Sequence, residues 1–247
     1  MLSHSLSRGA ITIEARFTGV DTGDLGVSRL VTGGAESMSS EDAEFHRELL
    51  QRRRAVHSQP WAWLRQVHGP RVIEVTDPVR LPAGIEGDAM VSALDDVPLA
   101  IHTADCGPVL LVGDGGQFGV VHAGWRGAAA GVLGATVDAL RRHGCHRIHA
   151  VVGPAIGPEC YEFGSAQLAA LSGQLGPEIM ATTATGAPAL DMRAAIRLQL
   201  VAASVDPNDI EVMDICTACS PGYYSHRARN ERGRQALIAW RTQTPTN

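Results

Sequence analysis

The apolar residues divide the chain into three textures. Ile11 to Phe17 alternates apolar and polar side chains with a period of two, which predicts a strand with one buried face. Gly19 to Ser40 is rich in turn formers and predicts an irregular loop. Ser40-Glu41-Asp42 then opens a helix running to about Val56. Acidic residues fill its first turn and Arg52, Arg53 and Arg54 its last, which complements the helix dipole. The three arginines read as a solvated helix end rather than an anion site.

From Trp61 short apolar runs follow one another, separated by Gly, Pro and Asp: WAWLRQV, RVIEV, DAMVSAL, VPLAIHTA, PVLLVG and QFGVVHAG. Rich in Val, Ile and Leu and several without clear alternation, they predict five or six strands in a sheet buried on both faces or packed against another sheet. The third texture is helical. Val132, Leu133, Val137 and Leu140 give a helix over Arg126 to His143 one apolar face, with Gly144 as its stop. A strand over Arg147 to Val152 follows, then helices over Ser165 to Leu175 and from the N-cap Asp191 to about Ser204, a strand over Ile210 to Ile215 and a tail element over Gly233 to Trp240. No repeat, low-complexity tract or Pro/Ser-rich linker interrupts residues 1–247. The strands cluster before the helices instead of alternating with them, so the pattern predicts one mixed α/β domain in which a sandwich of sheets is covered by helices.

Composition narrows the chemistry. All 21 basic residues are arginine. Without lysine there is no Schiff base, no lysine general base and no phosphate loop ending in Gly-Lys-Ser/Thr, so an anionic substrate must be met by arginine, backbone amides, histidine or a metal. A net charge of −5 and a pI near 6.0 argue against nucleic acid or anionic membrane as a partner. The start of the chain lacks the features of a secretory signal, and the most apolar stretch, Val97 to Val112, is broken by His102, Asp105 and Pro108; a cytoplasmic protein is expected. Five cysteines in such a protein point to free thiols or a metal ligand rather than a disulfide framework.

Three motifs at strand ends carry candidate chemistry: Gln66-Val67-His68-Gly69, Thr103-Ala104-Asp105-Cys106-Gly107-Pro108 and Val121-His122-Ala123-Gly124-Trp125-Arg126-Gly127. Each sets a metal-ligating or nucleophilic side chain one or two positions before a glycine, which permits close approach of backbone or substrate. Two histidines and one cysteine can make a catalytic zinc site with its fourth position open, although composition alone favours a buried, hydrogen-bonded packing role for each. Cys216 and Cys219 have CxxC spacing, but a zinc ribbon needs a second such pair and the chain has none. None of the ten histidines is spaced as the His-x-His pairs of a multicopper oxidase. Tyr223-Tyr224-Ser225-His226-Arg227 and Gly233-Arg234 set aromatics beside arginines, a combination suited to stacking a planar ring and gripping an anion, or else a solvated surface turn.

Taken together, QVHG, GDAMVS, TADCGPVLL, VHAGWRG, VGPAIGPECYEFG, CT and the YYSHR…GR tail resemble the YfiH or laccase-domain family, over about Trp63 to Trp240. Members of that family are described as zinc-dependent purine nucleoside phosphorylases, polyphenol oxidases and peptidoglycan editing factors. The resemblance implies an α/β/β/α sandwich related to cysteine hydrolases. It also implies that His68, Cys106 and His122 are the catalytic and metal-binding residues, with zinc as the metal and copper as the alternative, and Asp105 as a further catalytic candidate that orients a ligand or acts as acid or base. Gln66, Arg126, Tyr224, Arg227 and Arg234 are the implied substrate contacts. Nucleoside and phosphate are the implied small-molecule partners, for a monomer or homodimer. Phosphate attack would fall on the ribose C1′, including that of methylthioadenosine, and activated water would deaminate adenosine at C6. Gly19 stands where the family usually has an arginine and Ala228 where it commonly has another, so phosphate binding falls to Arg126, Arg227, Arg229 or Arg234. The rival readings are a metal-free hydrolase with Cys106 as nucleophile and His122 or His68 as base, cleaving an amide or peptidoglycan precursor, and a non-catalytic binding protein.

Overall fold

The computed structural model describes residues 1–27 and 39–243. In chain order its elements are β1 (Leu2–Arg8), β2 (Ile11–Phe17), α1 (Ser40–Val56), β3 (Ala62–Arg65), β4 (Val72–Val75), β5 (Ala83–Glu86), β6 (Ala89–Ser92), β7 (Leu99–Thr103), β8 (Gly107–Gly113) and β9 (Phe118–Ala123). Then come α2 (Trp125–Ala129), α3 (Val132–Arg142), β10 (Ile148–Val152), α4 (Ser165–Leu175), β11 (Met180–Thr182), β12 (Pro188–Leu190), α5 (Met192–Ala202), β13 (Ile210–Val212), α6 (His226–Arg229) and β14 (Gln235–Gln243). Two six-stranded sheets result, ordered β1-β2-β14-β7-β3-β5 and β13-β10-β8-β9-β6-β4, besides a small β11-β12 hairpin.

The burial of alternate residues explains why the strands lack a polar face. In β8, Leu110 and Val112 meet Ile13, Phe17, Ile101 and Leu237 of the first sheet, whereas Val109 and Leu111 face the helices α2 to α5. In β7, Leu99 and Ile101 enter the inter-sheet core and Ala100 faces the opposite way, with Ala236, Ile238, Leu25 and Leu49 of α1. The layers therefore run helix, sheet, sheet, helix, as expected. Each fully buried Leu or Ile contributes about 1.5–3 kcal/mol through removal from water. Among the described residues no helix is long and apolar enough to cross a membrane.

Local signals set the helix starts. Ser39 accepts the Asp42 N–H at 3.1 Å and Asp191 accepts that of Ala194 at 2.9 Å, so both are working N-caps. The helix expected over Arg126 to His143 is instead two, broken where Gly131 takes the left-handed conformation at φ 87°. Gly144, at φ 85°, does end the second. The expected solvated arginine end holds only in part: Arg53 is buried, its guanidinium 5.2 Å from the Trp61 ring and 5.7 Å from Trp63, and burial lowers its pKa to about 10. The strand expected over Ile210 to Ile215 ends at Val212. Of the loop expected from Gly19 to Ser40, residues 28–38 lie outside the described residues.

Candidate active site

Three strand ends converge at one mouth of the sandwich. His68 follows β3, Cys106 lies in the β7–β8 turn and His122 is in β9. The ring nitrogens of both histidines and the Cys106 Sγ all lie within 4.8 Å of one another, with Sγ 3.8 Å from His68 Nε2. Gly124 makes this possible: a Cβ there would come within 2.7 Å of His68 Cδ2 and 3.0 Å of Cys106 Sγ.

Asp88, in the GDAMVS segment, is the residue that organises the three. Fully buried, its carboxylate accepts the consecutive amide N–H groups of Val67, His68 and Gly69 at 3.2, 2.9 and 2.8 Å. These bonds hold His68 at φ 58°, in the left-handed region a non-glycine residue seldom occupies. Asp88 Oδ1 also lies 2.8 Å from His122 Nδ1. A proton on Nδ1, donated to that carboxylate, leaves His122 Nε2 free to meet a metal or the thiol. Burial alone would raise the Asp88 pKa, but the hydrogen bonds from His122, Gly69 and Val67 more than offset it.

The site's electrostatics favour an ion pair. Burial would push the Cys106 thiol up, yet the His122 imidazolium and hydrogen bonds from both histidines outweigh it and hold the thiol at about 6. Burial likewise works against a charged His122, but the Cys106 thiolate and then Asp88 raise it to about 9. Since the thiolate is the reactive form, alkylation of Cys106 in metal-stripped protein should rise through pH 6, and His122→Asn should move that midpoint toward the ordinary thiol range. A wild-type midpoint near that of a free thiol would contradict the pairing.

The donor set also fits a metal. Two imidazoles and one thiolate match a tetrahedral zinc site with one open position, for which metal–ligand bonds of about 2.0–2.3 Å place donors about 3.6 Å apart. The observed 3.8 Å agrees.

A cavity of about 730 Å³ opens on these residues. Its lining separates the expected substrate contacts. Arg227 and Arg234 line it; Arg126, Arg229 and Tyr224 are not in the described lining. Arg126 is exposed and lies 4.5 Å over the Trp125 ring. Tyr224 packs against Gly233, and Arg229 is consumed by Glu231 and by the carbonyls of Ala218, Thr217 and Tyr223. Gln66 lines the cavity with both ends of its amide engaged, by the His102 carbonyl at 2.7 Å and its N–H at 2.8 Å. Asp105, at φ 89°, is likewise tied, accepting the Thr217 hydroxyl and the Arg227 amide, each at 2.7 Å.

Arg227 stacks 4.6 Å from the Tyr161 ring and donates to the Glu162 carbonyl through Nη1, while Nε and Nη2 make no hydrogen bond among the described residues. Tyr161 and His102 also line the cavity. Burial, together with the Cys106 charge, keeps the Tyr161 hydroxyl protonated, its pKa pushed up to about 12. Burial and the nearby Arg53 and Arg234 charges keep the His102 ring neutral, and neither ring nitrogen makes a hydrogen bond among the described residues.

A family model described as multi-copper polyphenol oxidoreductase laccase matches residues 12–242. A purine nucleoside phosphorylase of Xylella fastidiosa is 40% identical over 185 residues, 72% of this chain and 71% of that one. Purine nucleoside phosphorylase ORF3 of Streptomyces griseus is 35% identical over 229 residues, 91% of each. The crystal structure of YlmD from Geobacillus stearothermophilus superposes with a TM-score of 0.76 at 28% identity, over 96% of this chain and 93% of that one.

Proposed function

The chain belongs to the multi-copper polyphenol oxidoreductase laccase family, and on that footing we propose that it is a purine nucleoside phosphorylase working with a zinc ion held by His68, Cys106 and His122. Copper is the alternative metal for a site with a thiolate donor. The observation that carries the phosphorolysis reading is the placement of Arg227 and Arg234 in the same 730 Å³ cavity as the three ligands. A chain without lysine thereby keeps two arginines in the lining of that cavity, Arg234 with its Nη1 on the carbonyls of Glu231, Arg232 and Gly233.

When bound, the ion supplies a Lewis acid that activates an oxygen nucleophile. The protein's own groups do the rest. Asp88 fixes the His122 tautomer and the His68 backbone. Arg227 has two guanidinium nitrogens available for phosphate, and the tether from its amide to Asp105 sets its position. As phosphate oxygen bonds to C1′, the C1′–N9 bond breaks and its electron pair leaves with the purine, which takes up a proton. The Tyr161 hydroxyl is a protonated donor in the same cavity, and the neutral His102 ring lies in its wall with both nitrogens buried.

Chromatographic assay of adenosine, inosine and methylthioadenosine, with and without phosphate, tests the reading: free base and ribose 1-phosphate are expected only with phosphate. Inosine from adenosine would add deamination at the same site. No turnover of any nucleoside would remove the phosphorylase reading and leave a hydrolase of another substrate class or a non-catalytic binding protein. Arg227→Met should raise the KM for phosphate about 10–100-fold, the equivalent of a charge-assisted hydrogen bond of about 1.5–3 kcal/mol, with little change in the KM for nucleoside. Equal effects on both would place Arg227 elsewhere than on phosphate.

The Asp88–His122–Cys106 arrangement also favours a second reading, a metal-free hydrolase with Cys106 as nucleophile and His122 as base. That activity would survive complete removal of metal, whereas phosphorolysis would be lost and restored by zinc.

A further inference from the structure

Three cysteines and a glutamate that the proposed reaction leaves unused come together outside the described cavity lining. Glu159 and Cys160 belong to the single helical turn Pro158–Cys160; Cys216 and Cys219 lie in the loop after β13. The two segments are held side by side. The Ala155 N–H donates to the Ile215 carbonyl and the Thr217 N–H to the Ala155 carbonyl, each at 3.2 Å, while the Gly157 N–H donates to Cys216 Sγ at 3.2 Å. Across them Cys160 Sγ is 3.0 Å from Cys219 Sγ, which lies 3.6 Å from Glu159 Oε1. All four ligand atoms are within 4.8 Å of one another. The Glu159 carboxylate is folded back over its own turn, so close to Gly157 that a Cβ there would lie 2.3 Å from either oxygen.

We propose that Cys160, Cys216, Cys219 and Glu159 form a second, structural zinc site. A tetrahedral zinc with Zn–S bonds of about 2.3 Å and Zn–O bonds of about 2.0–2.2 Å spaces its donors about 3.5–3.8 Å apart. Those separations fall inside the range the four atoms already span. Three thiolates and one carboxylate select a borderline-soft divalent ion over magnesium or calcium. With four protein donors the site is closed, which suits a structural role. The CxxC pair thus finds its partners without a second such pair, because the parallel contact at Ala155 and Cys216 brings in neighbours 56 or more positions away in sequence.

Thr217, between the two CxxC cysteines, makes the site matter to the cavity. Its hydroxyl donates to Asp105 Oδ1 at 2.7 Å, and the Asp105 carbonyl accepts the Ile156 N–H at 2.9 Å. A metal joining the two segments therefore clamps both supports of Asp105, the residue next to Cys106 and the anchor of the Arg227 amide.

The test is metal stoichiometry on the reduced full-length chain, loaded with zinc, desalted and measured by native and elemental mass spectrometry. Wild type should hold two zinc ions, one at each cluster. His68→Ala/His122→Ala should hold one, and so should Cys160→Ser/Cys219→Ser. In cobalt-loaded protein, thiolate-to-metal charge-transfer absorption should persist in the first double variant and lose its contribution from the second site in the other. Glu159→Gln, which keeps the thiols and the shape, should release the second zinc faster to a chelator. Loss of all zinc from His68→Ala/His122→Ala, or retention of both ions by Cys160→Ser/Cys219→Ser, would overturn the proposal. So would a Cys160–Cys219 disulfide in protein kept under reducing conditions. Because the two sites are emptied by different substitutions, failure here leaves the phosphorylase reading untouched, and the reverse.

Discussion

Cys106→Ala is expected to lower phosphorolysis by about 10³-fold or more, since the several kcal/mol that a Lewis acid contributes to a transition state correspond to at least three factors of ten. The same change should release the ion from the site between His68 and His122. It should cost little stability, because Cys106 is only half-buried at the rim of the cavity and its removal opens no hole in the inter-sheet core. Turnover and metal content measured together, with circular dichroism as the control for folding, give the answer. Unchanged phosphorolysis in the variant would remove Cys106 from the reaction. Activity lost on mutation yet intact in metal-stripped wild type would instead establish the thiol as nucleophile.

Asp88→Asn should strike both stability and metal. Its carboxylate receives four donors, from Val67, His68, Gly69 and His122. An asparagine presents one acceptor oxygen and turns an NH₂ group toward N–H groups that need acceptors. Leaving a buried group unpaired costs about 1–3 kcal/mol, and for these part-buried amides a loss toward the low end is expected, which a denaturant midpoint will register. Freed of its partner, the His122 ring loses the tautomer that frees Nε2, and zinc affinity should fall about 10–100-fold, as for other partners of metal-bound histidines. The pH dependence has a definite sign. The folded pKa of Asp88 lies below the ordinary 3.8, so its stabilisation is complete above that value and drains away as pH falls further. The acid limb of the wild-type stability curve should flatten in the variant; parallel limbs, or zinc affinity equal to wild type, would deny Asp88 this organising role.

Which of these features could be read from the sequence follows from burial. Strands β7, β8 and β9 were legible because residues buried on both faces must be apolar throughout. β1 was not, since Leu2–Arg8 pairs only with β2 at a sheet edge and keeps Ser3, Ser5 and Ser7 along its length. β5, another edge strand with only half-buried or exposed residues, was missed for the same reason. His68, Cys106 and His122 stood out because metal-ligating side chains one or two positions before a glycine at strand ends are uncommon. Asp88 did not: a Gly-Asp pair before a strand reads as an ordinary turn, and nothing in its spacing announces that its carboxylate faces a turn about twenty residues upstream. Arg126, Arg227, Arg229 and Arg234 were indistinguishable as arginines. Only the folded backbone decides that Arg227 and Arg234 line the cavity, Arg234 with Nη1 held by three carbonyls, while Arg229 is spent on carbonyls and Glu231 outside the described lining.

β14 lies at the interior of the first sheet, between β2 and β7, and Thr18 exchanges hydrogen bonds with Ala236, 218 positions later. Spatial order and order of synthesis are therefore opposed. Until residues 235–243 have left the ribosome, β2 and β7 each present an unpaired edge, and Ile13, Phe17 and Ile101 lack Leu237 and Ala239 as packing partners. The second sheet, whose strands all lie between residues 72 and 212, is free of that delay. The half of the sandwich that carries His122 can thus assemble during translation, while the half beside His68 waits for its last strand. A slow, late closure is the cost of such non-local pairing, and the exposed edges are where a nascent chain is open to aggregation.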